Sequence, residues 1–296
     1  MAQTGIARMS RRQLLRRGIT AASLTALAGT AYTTLVEPAW IEVTHVTLRL
    51  PRLAPAFCGY RVAQVSDIHL GDWMNVGRFR DVIRAVNGQA PDVIAITGDF
   101  VTRRAEQQAG DLAIGLRQLR ARDRVVAVLG NHDYWSNPRI IRDLLPASGV
   151  RELANDIWTI RRGDAQLHIT GVDDIWEERD RLDLVLDGLP RDGAAVLLAH
   201  EPDFAETSAA SGRFDLQISG HSHGGQIVAP IVGPLHVPYL SRKYPIGRYQ
   251  VGEMIHYTNR GVGMVRPYVR FNCRPEITIF HLHARTMCAC AGSPAQ

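Results

Sequence analysis

Lysine is almost missing from this 296-residue chain: Lys243 is the only one, and every other basic side chain is arginine. Arginine abundance is therefore a compositional habit here and not a sign of recognition. Cysteine is scarce too, with residues at 58, 273, 288 and 290 and no Cys-x-x-Cys pair. That excludes a zinc ribbon and a disulfide-dense scaffold. A Cys58–Cys273 bridge and buried free thiols both stay open. Acidic residues are absent from residues 1–36, which carry five arginines (Arg8, Arg11, Arg12, Arg16 and Arg17). The formal charge of +5 is confined to that head, because the remaining residues hold 29 basic and 29 acidic groups. A neutral body without a long basic stripe argues against nucleic-acid binding, which rests on phosphate neutralisation. Repeats, linkers and low-complexity stretches are also lacking. The 46% hydrophobic and 21% charged composition fits a globular chain, not a disordered or fibrous one. The body is long enough for one large domain or two small ones.

The stretch from Gly18 to Val36 carries no charge at all. It follows Ser10-Arg11-Arg12-Gln13-Leu14-Leu15-Arg16, and a basic segment before an apolar one has the form of an export signal. The adjacent arginines resemble the twin-arginine translocation signal of bacteria, with Leu14 in the Phe position and Arg16 in the Lys position. The resemblance implies export of the folded protein by the twin-arginine machinery. Small residues at Ala26-Leu27-Ala28 and Gly29-Thr30-Ala31 permit cleavage. The uncharged run, however, approaches the ~20 residues that span a bilayer, and Glu37-Pro38 begins the body almost at once, which favours a retained anchor. Either way the body lies outside the cytoplasm: on the outer face of the membrane if anchored, periplasmic or extracellular if cleaved. The expected organisation is a signal or anchor at 1–40, one domain at 41–285 and a disordered tail at 286–296.

Along the body, β-rich runs alternate with helical patterns. Strands are expected at Ile41–Leu50, Tyr60–Ser66, Asp92–Thr97, Arg124–Leu129, Gln166–Gly171, Ala194–Ala199 and Phe214–Ser219, then at Gln226–Ala229, Met254–Thr258 and Ile277–His283. Helices are expected at Val76–Asn87, Glu106–Ala121, Pro138–Leu145 and Asp180–Asp187. Phe79, Val82, Ile83 and Val86 form an i, i+3, i+4, i+7 stripe. Helices between apolar strands argue for a layered α/β fold, and the hairpin-rich second half adds antiparallel strands, so the sheets should be mixed.

Five expected strands run directly into polar clusters: Ser66-Asp67-Ile68-His69, Gly98-Asp99, Gly130-Asn131-His132-Asp133, His200, and Gly220-His221-Ser222-His223-Gly224. Ligands of open α/β sheets bind at the carboxyl ends of strands. One such His or Asp-x-His is weak evidence. Five strand ends restricted to Asp, Asn and His make coincidence a poor explanation.

These blocks, in this order and at comparable intervals, resemble the calcineurin-like metallophosphoesterase superfamily. Asn259-Arg260-Gly261-Val262-Gly263 and Arg270 to Ile277, with the head, resemble a bacterial subfamily of exported or membrane-anchored phosphodiesterases. The resemblance implies a four-layer α-β-β-α sandwich of two mixed sheets with a dinuclear centre at the carboxyl ends of the strands. By position, Asp67, His69 and His223 would hold one divalent metal, Asn131, His200 and His221 a second, and Asp99 would bridge them. Imidazole, carboxylate and amide donors without thiolate suit Mn, Zn or Fe. Such a pair binds a phosphoryl group and lowers the pKa of a bridging water, whose hydroxide attacks phosphorus. His132 matches the family histidine that faces the substrate as general acid or donor, its ring to be oriented by Asp133 or Asp72. The remaining histidines take an ordinary structural reading.

The expected reaction is hydrolysis of a phosphodiester or pyrophosphate bond. The substrate would be a phosphorylated small molecule, or a cell-envelope or lipid-linked compound at a membrane surface. Phosphomonoesterase and nuclease activities of the same superfamily are the alternatives within enzymes, and a non-catalytic metal-binding envelope protein is the alternative outside them. A basic stretch at 241–285 makes Arg260, beside Gly261, the candidate phosphate contact. Loops Gly71–Gly77, Asp173–Asp180 and Pro230–Gly247, with Trp73, Met74, Trp176, Tyr239 and Tyr244, are the candidates to select the leaving group.

Overall fold

Alternating side chains assemble the layers in the computed structural model, which describes residues 10–285. In the strand Tyr60–Val65, Tyr60 and Val62 face a second sheet while Ala63 and Val65 face helices. Every residue of Val93–Thr97 and Ala194–Leu198 is buried, as expected of parallel strands covered on both faces.

The first sheet has six strands in the order Glu42–Leu50, Glu276–Ala284, Tyr60–Val65, Val93–Thr97, Arg124–Val128 and Val150–Glu152. All its pairings are parallel except the one between Glu276–Ala284 and Tyr60–Val65. The second sheet runs Gly247–Val251, Met254–Thr258, Leu216–Ser219, Ala194–Leu198, Ala165–Gly171 and Asp156–Arg162, parallel in the middle and antiparallel at both edges. Leu48, Val62, Val126, Val196, Ile218 and Phe280 meet between the sheets. Helix Val76–Gly88 buries its Phe79, Val82, Ile83 and Val86 stripe on the outer face of the first sheet. Val185, Phe204 and Ala205 cover the outer face of the second. Each such Val, Leu, Ile or Phe side chain contributes ~1.5–3 kcal/mol on burial. The result is the four-layer α-β-β-α sandwich with two mixed sheets. Gln64 ties the layers beneath the site, donating to Thr97 Oγ1 and to the Ser219 carbonyl of the other sheet, each at 2.9 Å.

Some expectations need correction. The second helix spans Ala105–Leu116 and does not reach Ala121. Its chain turns back at Gln118 and Leu119, and then Arg122 and Asp123 donate to the carbonyls of Pro91 and Asp92 beside the first sheet. Three edge strands were not expected: Val150–Glu152, Asp156–Arg162 and Gly247–Val251. All are half exposed, so none shows an apolar run. The expected strand Gln226–Ala229 shrinks to Val228–Ala229, paired with Gly233–Pro234, because Gln226 turns away at φ +54°. Cys273 is a free buried thiol whose Sγ lies 3.3 Å from the His223 carbonyl, so the Cys58–Cys273 bridge does not form. Cys58 is itself disulfide-bonded. The expectations for Arg8, Cys288, Cys290 and the 286–296 tail lie outside the described residues.

Residues Arg11–Ala31 form an exposed helix that continues through shorter helical turns to Ala39, long and apolar enough to cross a membrane. Ser10 and Gln13, inside the twin-arginine-like segment, form its capping box. Its far end is fastened to the body: Arg270 N donates to the Thr33 carbonyl at 3.0 Å, and Cys273 N to the buried Glu37 carboxylate at 2.6 Å.

Candidate metal centre and active site

Leaving the sheets, the chain makes abrupt turns that the site residues themselves absorb. Asp67, His69, Asp99, His221 and His223 all have φ between +50° and +67°. Left-handed conformations of this kind cost ~1–3 kcal/mol each and persist where the surroundings enforce them. Here the surroundings are glycines at close quarters. A Cβ on Gly130 would lie 2.5 Å from Asp99 Oδ1, and one on Gly220 would collide with Ser66 Oγ and Asp67 Oδ2.

All seven expected ligands converge. Asp99 Oδ2 lies 3.4 Å from His69 Nε2 and 3.3 Å from His200 Nε2, between the two halves of the cluster. On one side, His223 Nε2 is 3.4 Å from Asp67 Oδ1 and 3.0 Å from His69 Nε2. On the other, His200 Nε2 is 3.2 Å from Asn131 Oδ1 and 3.3 Å from His221 Nδ1. Every one of these side chains is buried. Glu201 joins the second group, within 4.8 Å of His200 and His221. It was not singled out from the sequence, where adjacency to His200 was the only signal.

Backbone carbonyls fix the orientation of two of the imidazoles. His200 Nδ1–H donates to the Thr97 carbonyl at 2.7 Å and His221 Nε2–H to the Tyr239 carbonyl at 2.8 Å, which leaves His200 Nε2 and His221 Nδ1 to face the cluster. Burial pushes His69 down to about 3, His221 to about 4 and His223 well below the usual range, so these rings are neutral. Burial would also lower His200, but the Asp99 carboxylate outweighs it and raises it well above its ordinary value. Burial opposes ionisation of Asp99, yet His200 and His132 hold it well below the carboxylate range. Asp67 is raised to about 6 by burial. Closely packed, buried carboxylate and imidazole donors aimed at one another fit divalent cations.

His132 is half-buried beside the cluster. Its backbone N–H donates to Asp99 Oδ1 at 2.9 Å, and its Nδ1–H to the Thr102 carbonyl at 3.0 Å. Neither Asp133 nor Asp72 orients the ring, contrary to the sequence expectation. Asp133 instead accepts from the backbone of Phe100 and Gly130, at 2.9 and 3.0 Å, and holds the two loops together. Asp72 belongs to the wall of a polar cavity of about 580 Å³ that also contains Arg103, Arg104 and Arg266. A second cavity, of about 410 Å³, is walled by Trp135, Trp176, Ile227, Leu235 and Pro238 and reaches Asp99. His132 and Arg266 line both.

Arg260 is not a free phosphate contact. Its Nε donates to Glu276 at 3.0 Å and its Nη2 to Glu42 at 2.8 Å, so two carboxylates already occupy the guanidinium. The motif around it supports Asp67 instead: Val262 N and Gly263 N donate to the carbonyls of Ser66 and Asp67. Arg270, wholly buried, fastens that loop by donating to the carbonyls of Arg260, Gly261, Gly263 and Cys273. Of the aromatics expected to select a leaving group, Trp176 lines the cavity and Tyr239 packs on it at 5.6 Å. Trp73 lies under Arg78, Met74 is in the core, and Tyr244 packs on Tyr249 and His256.

A sandwich whose strand ends gather Asp, Asn and His around a shared carboxylate defines a metal-dependent phosphoric ester hydrolase. The family model for calcineurin-like phosphoesterases matches residues 60–225, and the chain belongs to that family. It is 34% identical to the uncharacterized metallophosphoesterase YkuE of Bacillus subtilis, over 93% of this chain and 98% of that one. It is 30% identical to the phosphodiesterase YaeI of Escherichia coli, over 93% and 99%. A transmembrane protein with a metallophosphoesterase domain from Bos taurus is 33% identical, over 82% of this chain and 57% of that one.

Proposed function

We propose that the chain is a phosphodiesterase of the cell envelope, with Asp67, His69 and His223 holding one divalent cation, Asn131, His200 and His221 another, and Asp99 shared between them. The observation that carries this reading is the placement of Asp99 Oδ2 within 3.4 Å of ring nitrogens on both sides of the cluster. Bound cations would supply Lewis-acid polarisation of the phosphoryl oxygens and an activated water. The protein's own residues do the rest. His132, with Nδ1 committed to Thr102, has Nε2 left for the substrate; as the imidazolium it donates that proton to the departing oxygen while the Thr102 carbonyl steadies the ring. Arg103 and Arg104 offer charge to a polar or anionic substituent on one side of His132 and the aromatic cavity an apolar berth on the other, with Arg266 bordering both.

That bipartite surround favours an amphiphilic, lipid-linked diester or pyrophosphate over a wholly polar one. The printed name of the Escherichia coli relative supports diester chemistry. The exposed helix Arg11–Ala39 supports a membrane anchor and the Ser10–Arg16 motif supports the twin-arginine route, with residues 1–40 as head and 41–285 as the catalytic domain.

The test is turnover of bis-(p-nitrophenyl) phosphate by the full chain with added Mn²⁺, against p-nitrophenyl phosphate and after chelation. Diester turnover that chelation abolishes is expected. Faster monoester turnover would transfer the reading to a phosphomonoesterase, and no turnover of either would leave a metal-binding module.

A further inference from the structure

Residues 227–241 contain no Asp, Glu, Lys or Arg, and the middle of that stretch is thrust into solvent. At the tip of the Val228–Ala229/Gly233–Pro234 hairpin, Ile231 is 108% exposed and Val232 76%, with Leu235 at 60% just behind. Ile231 also sits at φ +71°, a conformation that a β-branched residue rarely adopts. Nothing in the described fold packs on this tip, so neither the strain nor the exposure is repaid by the body itself.

The hairpin is rooted beside the point where the N-terminal helix joins the body. Arg270 bonds to Thr33 of the helical segment, and the next residue, Phe271, bonds to both Gln226 and Val228 at the hairpin root, each at 2.9 Å. Helix end and prong therefore flank a single short strand of chain. The same surroundings carry the residues that favour a membrane–water interface. Tyr32 and Trp40 are exposed at the end of the helix, Arg274 lies 4.0 Å over the Trp40 ring, and Leu35, Val36 and Phe271 are exposed between them.

We infer that the 228–235 hairpin is a second membrane contact, dipping Ile231 and Val232 into the outer face of the bilayer that the Arg11–Ala39 helix crosses. The inference rests on the membrane-anchored reading of that helix. The occupant is a lipid surface because the prong is uncharged, lies beside a membrane-length helix and is bordered by interfacial aromatics. Leu235 connects the contact to chemistry: it belongs to the exposed apolar patch and also to the wall of the aromatic cavity. With the tip inserted, that cavity would adjoin the interface, and an amphiphilic phosphodiester could pass from the bilayer to His132 without its apolar part crossing water.

The experiment places a photo-crosslinking p-benzoylphenylalanine at 231, or at 232, in the full chain reconstituted into phosphatidylethanolamine–phosphatidylglycerol vesicles with radiolabelled acyl chains. Ile114 and Leu184, exposed apolar residues on the helices over the two sheets, are the control positions. Lipid adducts at 231 and 232 are expected at least ~10-fold above those at 114 and 184, since each tenfold needs only ~1.4 kcal/mol of preference. Bis-(p-nitrophenyl) phosphate turnover by the 231 and 232 variants should match the parent and certify their fold. Equal labelling at all four positions overturns the inference, and so does a crosslink from 231 to a second copy of the chain in place of lipid. Lipid adducts without diester turnover by the parent would leave the membrane contact standing while the proposed activity fails.

Discussion

Asp99 Oδ2 lies 3.3 Å from His200 Nε2, with both side chains buried, while the other carboxylate oxygen accepts the His132 N–H at 2.9 Å. One carboxylate therefore serves the ligand cluster and positions the histidine assigned to proton transfer. Asp99→Asn keeps the shape and removes the charge. The variant should lose bound metal from both halves of the cluster and fall ~10²–10³-fold in diester turnover, the scale of losing a principal electrostatic group. Metal analysis of purified protein beside the kinetics checks this. Two tightly held cations in the variant would falsify the shared-ligand assignment.

His132 is predicted to behave differently because none of its ring nitrogens enters the ligand cluster. His132→Ala should keep its full metal content and lose ~10²–10⁴ in kcat, the range for general acid–base catalysis. The loss should be smaller for a diester with a nitrophenolate leaving group than for one with an alkoxide, because a good leaving group needs no proton. An equal loss on both substrates would assign His132 to binding and not to acid catalysis.

The site was more legible in the sequence than its supports. Strand ends could be read because buried parallel strands such as Val93–Thr97 and Ala194–Leu198 are continuous apolar runs, and the residues after them then stand out. The edge strands Asp156–Arg162 and Gly247–Val251 escaped because one face is in solvent, so their composition resembles that of loops. Long-range partners escaped altogether. Arg260 is neutralised by Glu42, 218 positions away, and His132 is oriented by a backbone carbonyl, a group every residue has and no motif records. Arg270, counted from the sequence as one more basic residue, is wholly buried. Gly130 and Gly220 were visible as members of the blocks that follow two of the expected strands. Only the packing shows that Gly130 and Gly220 also make room for carboxylates.

Gly130 turns that last point into an experiment. Its φ is −122°, so alanine is allowed by the backbone, but the added methyl would lie 2.5 Å from Asp99 Oδ1 and 2.7 Å from His200 Nε2. Gly130→Ala should cost ~1–3 kcal/mol by overpacking and weaken metal binding without removing a ligand. Gly88→Ala, which meets nothing within 4 Å, is the matched control and should leave both quantities near the parent values. Metal titration and urea unfolding of the two variants separate a local steric effect from the generic loss of a glycine.

Outside the metal cluster, His256 gives a pH prediction. It is fully buried between the rings of Tyr244 and Tyr249, with Nε2 2.9 Å from Thr258 Oγ1. Burial pushes it down to about 3, below the ~6.5 of an unfolded histidine. The unfolded chain thus binds the extra proton first as pH falls. Its contribution to stability is complete above about pH 6.5 and is lost progressively on acidification towards 3. In His256→Gln, which cannot titrate, the fall in Tm between pH 6.5 and 4.5 should be shallower than in the parent under the same metal conditions. Parallel curves would show that the ring is not kept neutral by the fold.

Arg270 makes the sharpest case for support acting on chemistry. Its guanidinium donates to four backbone carbonyls and, among the described residues, bonds to no carboxylate, and two of those carbonyls belong to Gly261 and Gly263, which pack on Asp67 and Ile68. Arg270→Leu would fill the volume but strand the carbonyls, at ~1–3 kcal/mol for each group left unpaired, so a loss of several kcal/mol in urea unfolding is expected. Arg270→Lys should rescue little, because an ammonium cannot reproduce the planar fork that spans residues 260 to 273. The readout beyond stability is metal affinity. With Gly261 and Gly263 loosened, Asp67 loses its backing while the Asn131, His200 and His221 side keeps its own. One cation should then weaken well before the other as chelator is titrated at a temperature where the Lys variant is fully folded. Simultaneous weakening of both would mean that Arg270 supports the fold as a whole and not the Asp67 side of the site.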